Sequence, residues 1–440
     1  MSTSNVLLLS IRTPSFDRFV LIASYMIGQC VFECVSSSVS SSTTRIMKFL
    51  AVCLCFAVFV SDSFGCNSLL RRDTPYKASS AKKERYCSIK GLPYSKIRRG
   101  PLIWRDEFDH LDHSKWTPMI SGWRGSNAFQ IYVNRSQNIY VRDGNLFIKP
   151  TFTADRYGPE FLYNGTIDLT LEGCNVNWGG GCIVKSGDDI IPPIQSARIH
   201  TRNSFSFTYG FVEVRAKMPK GDWIWPAIWM SPTDSVYGSN PRSGEIDITE
   251  VRSNVNLSCG SKSYGRQLSG TSLHWGPDSH HNGHRLTYWQ KVQRNPDFSS
   301  DFHIFAMEWL PIGFNFYVDD DLIGHVSPPE GGFWKMGGFE GQNIWNITGN
   351  GTRIAPFDHP FHFILDVAVG GDMFPDWCIN QPFDQPLEKP WKISDPVQMR
   401  PFWEKRMDWL PTWNPETEDN AMRIDYIRVY AVDQHHRSHG

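Results

Sequence analysis

The stretch SGEIDITEV, residues 243–251, places three carboxylates among β-branched residues. It begins with the period of a β-strand, so that Glu245 and Asp247 project to one face and the intervening isoleucines to the other. Strict alternation would next bring Thr249 to the acidic face, but the third acid, Glu250, comes one residue later. A one-residue β-bulge between Asp247 and Glu250 would return Glu250 to the face of the other two. The phase slip therefore predicts a bulged strand.

The spacing of the acids on a bulged strand is typical of glycoside hydrolysis. With the bulge, the Cα atoms of Glu245 and Glu250 would lie four strand steps apart, roughly 13 Å. Long side chains on a concave sheet can bring the two carboxyls to about 5 to 6 Å, close to the separation that retaining glycosidases need. Asp247 would lie between them and share a proton with one of them. The competing interpretation is an ordinary surface strand with acids on its solvent face.

The rest of the chain predicts an all-β sandwich. From Pro101 to Val432, short strand-like runs such as FVEVRAKMP, FHIFAMEWL and FHFILDVAVGG are separated by Gly, Pro, Asn and Asp. Helical periodicity is scarce, and residues 397–410 are predicted to hold one short helix. Long loops are expected at residues 151–194 and 331–356.

The charge and aromatic content of the chain bear on the kind of ligand it could bind. The net charge is −1 and the isoelectric point is near 6.9, which gives no indication of a nucleic-acid partner. Aromatic residues make up 14% of the chain, and 17 of them are Trp. Flat apolar faces of this kind suit a core or a sugar ring, and composition alone does not separate the two.

A targeting signal begins at Met47. MKFLAVCLCFAVFVSDSFGC has a lysine, a run of twelve apolar residues and small residues at a cleavage site, which predicts a secretory signal peptide at residues 47–65. Residues 1–46 would then be a mispredicted or alternative leader, residues 66–100 a loosely ordered N-terminal segment, and residues 433–440 a tail. A signal anchor that keeps the protein on a membrane is the alternative; after cleavage no membrane association is expected.

Cysteine usage agrees with secretion. Six cysteines follow the cleavage site, an even number that fits disulfides, and CNVNWGGGC predicts that Cys174 pairs with Cys182; Cys66 and Cys87 are a further candidate pair. Zinc is the competing explanation, but the cysteines lack the close paired spacing of a zinc site. Five N-x-S/T sequons predict glycosylated surface loops, at Asn134, Asn164, Asn256, Asn346 and Asn350.

The segments that follow, in order, carry a family resemblance: LIWRDEFDHLDHSKW, YVRDGNLFIKPT, PIQSARIHTRNSFSFTYGFVEVRAKMPKGDWIWPAIWM, GEIDITE, TSLHWGP, FILDVAVGG and IDYIRVY. The chain resembles the bulged branch of glycoside hydrolase family 16 over residues 101–432, which would be its catalytic domain. It is similar both to invertebrate secreted β-1,3-glucanases and to β-glucan recognition proteins. The resemblance implies a β-jelly-roll with a concave glucan cleft. It also implies that Glu245 is the nucleophile, Asp247 the assisting carboxylate and Glu250 the acid/base of a double displacement.

The resemblance also names binding residues. Trp225 and Trp229 match a pair of tryptophans that contact sugar, His274 matches a histidine in the cleft, and Asn138 matches an asparagine that hydrogen-bonds a sugar. For each tryptophan the alternative is a place in the core, and a lone histidine is more often structural. Trp275 and Trp309 are expected to belong to the core.

No cofactor and no metal at the site are predicted. The HHNGH run, His280 to His284, could suggest a metal, but a solvated loop is the favoured interpretation. Some relatives hold a structural calcium on the convex face, to which Glu107 or Asp425 could contribute here; the sequence does not establish that site.

Three functional hypotheses follow. The first is a secreted, monomeric endo-β-1,3-glucanase acting on laminarin-like polymers. The second is a β-1,3-glucan-binding immune recognition protein with weak or no hydrolysis, against which the retained glutamates argue. The third is an agarase or carrageenase, but the apolar GDWIWPAIWM favours glucan. Asp366, where many relatives carry Asn, is a departure that could alter a network of acids or a subsite.

Overall fold

The computed structural model describes the backbone of residues 5–13, 16–26 and 29–34, and residues 94–97, 99–346, 352–383, 385–414 and 416–432 in full. The chain divides into two units, Met1–Cys87 and Ser88–Gly440. The first carries three antiparallel strands: β1 Asn5–Thr13, β2 Phe16–Met26 and β3 Gln29–Cys34. These strands lie in the predicted leader, whereas the predicted signal peptide lies outside the described residues.

The second unit is built almost entirely of strands, as the alternating runs predict. They are β4 Arg99–Asp106, β5 Thr117–Pro118, β6 Gln130–Tyr132, β7 Ile139–Arg142, β8 Asn145–Ile148, β9 Thr151–Phe152, β10 Thr166–Asp168, β11 Ile183–Lys185, β12 Ile194–Ser196, β13 Arg198–His200, β14 Gly210–Lys217, β15 Ile224–Pro232, β16 Glu245–Val251, β17 Leu257–Cys259, β18 Lys262–Ser263, β19 Leu268–His274, β20 Tyr288–Val292, β21 His303–Leu310, β22 Gly313–Val318, β23 Asp321–Val326, β24 Phe361–Val369, β25 Ile379–Asn380 and β26 Met422–Val432.

Two large antiparallel sheets form a jelly-roll. The first has seven strands in the order β20-β19-β16-β15-β24-β13-β5. The second has eight, in the order β23-β22-β21-β14-β26-β8-β7, with β4 also paired to β26. One hydrophobic cluster contains residues of both sheets, such as Ile228 and Ile246 from the first and Val214 and Phe305 from the second. The prediction of an all-β jelly-roll sandwich is confirmed.

Helices are few and short: α1 Thr153–Tyr157, α2 Phe161–Asn164, α3 Gly332–Met336, α4 Met399–Glu404 and α5 Arg406–Trp409. The helix predicted at residues 397–410 is thus two helices, because Lys405 leaves the helical geometry between them with ψ of 15°. In the part of the chain that the structure describes, no helix has the length and apolar character needed to cross a bilayer.

Two disulfides hold the loops around the first sheet. The predicted bond between Cys174 and Cys182 is present, with the Cα atoms 5.5 Å apart. A second bond joins Cys259, at the end of β17, to Cys378, 119 residues further along the chain. Spacing along the chain does not indicate this pair. Cys66 and Cys87 lie outside the described residues.

The predicted loop at residues 151–194 is partly ordered into β9 to β12 and two helices, including a small sheet in the order β6-β12-β9. A further small sheet, β18-β17-β25, lies beyond the end of β16. The sequon asparagines that the structure describes are all exposed: Asn134, Asn164, Asn256 and Asn346.

Candidate active site

The predicted bulge is present in β16. On the β19 side, Asp247 pairs with Ser272 and Glu250 pairs with Gly270, so that three steps on β16 oppose two on β19. On the β15 side, the pairing slips between Thr249 and Asp247 in the same direction. Because the extra residue is accommodated against both neighbours, the bulge belongs to the interior of the sheet and not to a frayed edge.

The bulge determines which side chains of β16 are buried and which are partly exposed. Ile248 and Thr249 are both buried, whereas Glu245 and Glu250 are partly exposed. The Thr249 hydroxyl lies 2.9 Å from that of Ser269, which satisfies a polar group that would otherwise be buried without a partner. Glu250 thus returns to the face of Glu245, as the phase slip predicts.

The three carboxylates form one cluster with His274. Its Nε2 lies 3.2 Å from Asp247 Oδ2 and 3.9 Å from Glu245 Oε1. Glu250 is close enough for its charge to act on His274 as well. The structure therefore brings together all three predicted carboxylates and the predicted histidine.

Each carboxylate has a different hydrogen-bond donor. Glu245 Oε2 accepts from the side-chain amide of Asn240 at 2.8 Å. Asp247 Oδ2 accepts from the hydroxyl of Ser272, the residue directly opposite it on β19. Glu250 Oε1 accepts from the indole N–H of Trp225 at 2.9 Å.

The surroundings of Glu245 and Glu250 shift the pKa of both carboxyls. Burial raises the pKa of Glu250 to about 8, and the negative charge of Asp247 adds to that effect. The same two causes raise the pKa of Glu245 to about 7. The hydrogen bond from Trp225 lowers the pKa of Glu250 and thus opposes the shift, as the charge of His274 does when that ring is protonated. Carboxyls with raised pKa values that share one site are the arrangement in which one stays protonated while the other ionises.

Two observations on His274 favour different charge states. Burial disfavours the imidazolium, but the hydrogen bond to Asp247 and the nearby negative charges raise the pKa of His274 to about 10. Against this, the Asn282 side chain accepts from the backbone N–H of His284 at 3.0 Å, so its amide nitrogen faces His274 Nδ1, also at 3.0 Å. That nitrogen leaves no acceptor for a second ring proton, so the hydrogen-bond geometry favours a neutral imidazole with its proton on Nε2, facing Asp247.

Trp225 and Trp229 both lie on the carboxylate-bearing face, and each uses its indole N–H. Trp229 donates to Asp366 Oδ1 at 2.7 Å, and Tyr132 donates to the other oxygen of Asp366 at 2.8 Å. The Arg198 guanidinium lies over the Trp229 ring, 4.7 Å from its centroid. Asp366 therefore orients the Trp229 ring.

Asn138 corrects the sequence prediction. Its side chain is fully buried, and its amide nitrogen donates to the carbonyls of Lys149 and Gln195 and to the Thr151 hydroxyl. The donors that would reach a sugar are used inside the protein, so Asn138 has a structural role. Trp275, as predicted, is buried in the core.

The other predicted core tryptophan, Trp309, is buried as well. The candidate metal ligands have other partners. His281 pairs with Asp278, and the His284 ring stacks on His274 with centroids 5.0 Å apart, so His284 lies beside the carboxylates and not in a solvated loop.

The carboxylates suggested for calcium are paired with arginines, Glu107 with Arg428 and Asp425 with Arg215. Within the described residues, one acid–histidine group has ligand atoms within 4.8 Å of one another, and it consists of Glu245, Asp247 and His274. Those atoms already bond one another or neighbouring side chains.

Several members of the site were not found from the sequence. Asn240 lies in a turn-rich segment where nothing local distinguishes it from a solvated loop residue. Ser272 shares a strand face with His274, two residues away, which is a usable signal once His274 is suspected. Its partnership with Asp247 depends on strand pairing, which the sequence does not give.

Replacing Trp225 by Phe removes the N–H donor to Glu250 and keeps an aromatic ring. Because that hydrogen bond favours the ionised carboxyl, the pKa of Glu250 is expected to rise. NMR titration of the labelled glutamate carboxyl in the free protein measures it. The matched control is Trp229→Phe, whose N–H donates to Asp366 instead; an equal shift in both variants, or none in Trp225→Phe, would contradict this assignment.

The raised pKa values also predict the pH dependence of stability. Between the ordinary carboxyl pKa and about 8, the folded protein holds protons on Glu245 and Glu250 that the unfolded chain releases, so the free energy of unfolding should fall as pH rises through that range. Glu250→Gln should flatten the dependence. Denaturant unfolding at pH 5, 6, 7 and 8 measures it, with the exposed Glu388→Gln as control. Equal slopes in the two variants would refute the raised pKa.

Known proteins resemble the chain in sequence. Residues 164–339 match the family described as glycosyl hydrolases family 16. A "Beta-1,3-glucan-binding protein" of Penaeus monodon is 41% identical over 345 residues, covering 76% of this chain and 90% of that protein. "Beta-1,3-glucan-binding protein 1" of Galleria mellonella is 32% identical; the alignment covers 76% of this chain but 65% of the longer moth protein.

Among solved structures, the laminarinase from Rhodothermus marinus is 25% identical and superposes with a TM-score of 0.47, covering 78% of this chain and all of the other. The identity and extent of the match to the Penaeus monodon protein show the family, and the family match at residues 164–339 agrees with it. The chain belongs to glycosyl hydrolase family 16.

Proposed function

We propose that this protein is a secreted retaining endo-β-1,3-glucanase that hydrolyses laminarin-like polymers. The observation that carries the proposal is the bulge in β16, which brings Glu245 and Glu250 to one face with Asp247 between them in sequence. Residues 101–432 act as the catalytic domain. Glycosidases of this family need no cofactor, and no step below uses one.

In the first half of the reaction, Glu250 donates its proton to the leaving glycosidic oxygen while the Glu245 carboxylate attacks the anomeric carbon. The C–O bond to the leaving sugar breaks as the bond to Glu245 forms. The raised pKa of Glu250 supports its role as the proton donor near neutral pH. The Asn240 amide holds the attacking carboxylate at its other oxygen.

In the second half, Glu250, now ionised, takes a proton from water, and the resulting hydroxide attacks the anomeric carbon and releases Glu245. The Trp225 N–H stabilises the ionised Glu250 that this step requires. Asp247 is fixed by Ser272 and His274, so that its charge stays beside both glutamates throughout.

The aromatic surface supports a neutral sugar as substrate. Trp225 and Trp229 offer indole faces beside the carboxylates, and such faces pack against pyranose rings. Arg198 borders Trp229, however, so one cation adjoins the same surface. For this reason the test of substrate includes a sulfated galactan as well as agarose.

A second candidate is a β-1,3-glucan-binding recognition protein with weak or no hydrolysis. The names of the relatives from Penaeus monodon and Galleria mellonella favour it. Both candidates require a glucan cleft. They differ in whether the carboxylate cluster turns over a bound chain, which binding measurements alone do not reveal.

Secretion and monomeric function are part of the proposal. The disulfides Cys174–Cys182 and Cys259–Cys378 fit an oxidising compartment, as a cleaved signal peptide at residues 47–65 would require. The exposure of the described sequon asparagines supports glycosylation of the mature protein.

Reducing-end release from laminarin should be readily measured for the wild type and lost in Glu245→Gln, which keeps the size of the side chain but not its charge. Glu250→Gln should reduce the rate by about 10² to 10⁴-fold. Agarose and carrageenan serve as substrate controls, and laminarin binding by both variants shows that the cleft is intact. A well-folded wild type that binds laminarin without cutting any of the three polymers would reject hydrolysis and favour the recognition protein.

A further inference from the structure

An exposed tryptophan lies outside the carboxylate cluster. Trp178 is in the segment CNVNWGGGC, between the disulfide partners Cys174 and Cys182, and 69% of its surface is exposed. The disulfide closes the loop on itself, so the indole is presented on a constrained backbone. A single exposed apolar residue does not by itself indicate a binding site, so the residues around Trp178 have to be considered.

A second tryptophan packs against it. The Trp123 and Trp178 rings meet edge to face, with centroids 5.5 Å apart and an interplanar angle of 61°. Gly179 and Gly180 have φ of 57° and 76°, a backbone conformation that favours glycine, and an ideal Cβ at Gly179 would lie 3.7 Å from Trp123. The glycines therefore let the loop turn directly beside the Trp123 ring.

A cavity of about 370 Å³ is lined by the sequence neighbours of these two tryptophans, Gly122 and Arg124 on either side of Trp123 and Gly179 after Trp178. Its lining includes Gly122, Gly179 and Gly180 together with the charged residues Arg124, Lys185 and Asp188. Its volume falls within the range of small-ligand sites. The cavity is therefore a concave surface lined by hydrogen-bonding groups, and the segments that form it also carry Trp123 and Trp178.

The Arg124 guanidinium is poorly satisfied within the protein. Its hydrogen bond, among the residues that the structure describes, goes to the sulfur of Met399, which is a weak acceptor. The nearby Asp189 carboxylate accepts instead from the backbone N–H groups of Gln398 and Arg400. Arg124 is exposed, so its remaining donors face solvent and are accessible to a ligand.

Hydrogen bonds connect the backbone beside Trp123 to the carboxylate-bearing face. The backbone N–H of Trp123 donates to Ser121 Oγ at 2.9 Å, and Ser121 and Tyr132 exchange backbone hydrogen bonds of 3.0 and 2.9 Å. The Tyr132 hydroxyl then reaches Asp366, which holds Trp229. The segment that carries Trp123 is thereby anchored beside the end of the cleft where Asp366 and Trp229 are found, on the side away from β19.

We propose that Trp123, Trp178 and the adjoining cavity form an accessory binding site for the β-glucan chain beyond this end of the cleft. A pyranose face packs on the exposed indole of Trp178, and sugar hydroxyls bond Arg124 and Asp188. The identity of the ligand rests on the proposed function. The site would favour polymers over short oligosaccharides, because a short chain held at the carboxylates does not reach it.

The test uses laminarin binding in the Glu245→Gln background, measured by affinity electrophoresis, so that hydrolysis does not interfere. Trp178→Ala should weaken binding by about three- to tenfold, and Trp178→Phe should restore most of the loss. Leu171→Ala is the matched control: Leu171 is 97% exposed, apolar and close in sequence to the same disulfide loop, but has no aromatic face. It should bind as the parent does.

Kinetics on the wild-type background give a second measure. Trp178→Ala should lower kcat/KM for laminarin more than for a β-1,3-linked tetrasaccharide. Equal binding by Trp178→Ala, Leu171→Ala and the parent would overturn the accessory site while leaving the glucanase standing. A wild type that binds laminarin through Trp178 without cutting it would support the site and reject the hydrolase. Absence of any laminarin binding would reject both.

Discussion

The extra residue in β16 is the constraint on which the site depends. Side chains of a regular strand alternate with a period of two, so a third acid five residues after the first would face the core. β16 lies inside the seven-stranded sheet, and both β15 and β19 pair with it around the slip. Pairing on two sides fixes the bulge in place, and with it the orientation of Glu250 relative to Glu245.

Hydrogen bonds then distinguish three otherwise similar acids. Asp247 is held by Ser272 and His274, whereas Glu245 and Glu250 each accept one side-chain bond from an amide or an indole. Burial and the negative charge of Asp247 raise the pKa of both glutamates, which costs the folded state stability near neutral pH. Such a cost is expected where carboxyls are arranged for proton transfer rather than for stability.

Much of this structure could be predicted from local patterns in the sequence. The phase slip at Thr249 predicts the bulge, strand alternation predicts the large sheets, and a short glycine-rich segment predicts the Cys174–Cys182 bond. The failures involve contacts between distant segments. The Asn138 side chain is turned into the interior, where its amide donates to the carbonyl of Gln195, 57 residues away. Cys378 is bonded to Cys259, 119 residues before it.

The resemblance to the family singled out Trp225 and His274, which periodicity could not. The structure places both within hydrogen-bonding distance of a carboxylate of the cluster. The same resemblance misplaced Asn138, because a matching residue in a loop-to-strand segment does not determine whether its amide faces the cleft or the interior. Side-chain direction there depends on the small sheet formed by β6, β9 and β12, which the sequence did not reveal.

The most direct test of the central claim is the anomeric configuration of the first sugar released from laminarin, followed by proton NMR before mutarotation. If the bulge brings Glu245 and Glu250 to one face as the proposed nucleophile and acid/base, the β-anomer is the initial product, by two inversions. Release of the α-anomer would mean that water attacks directly. It would contradict the account of the bulged strand as the device that positions a nucleophile.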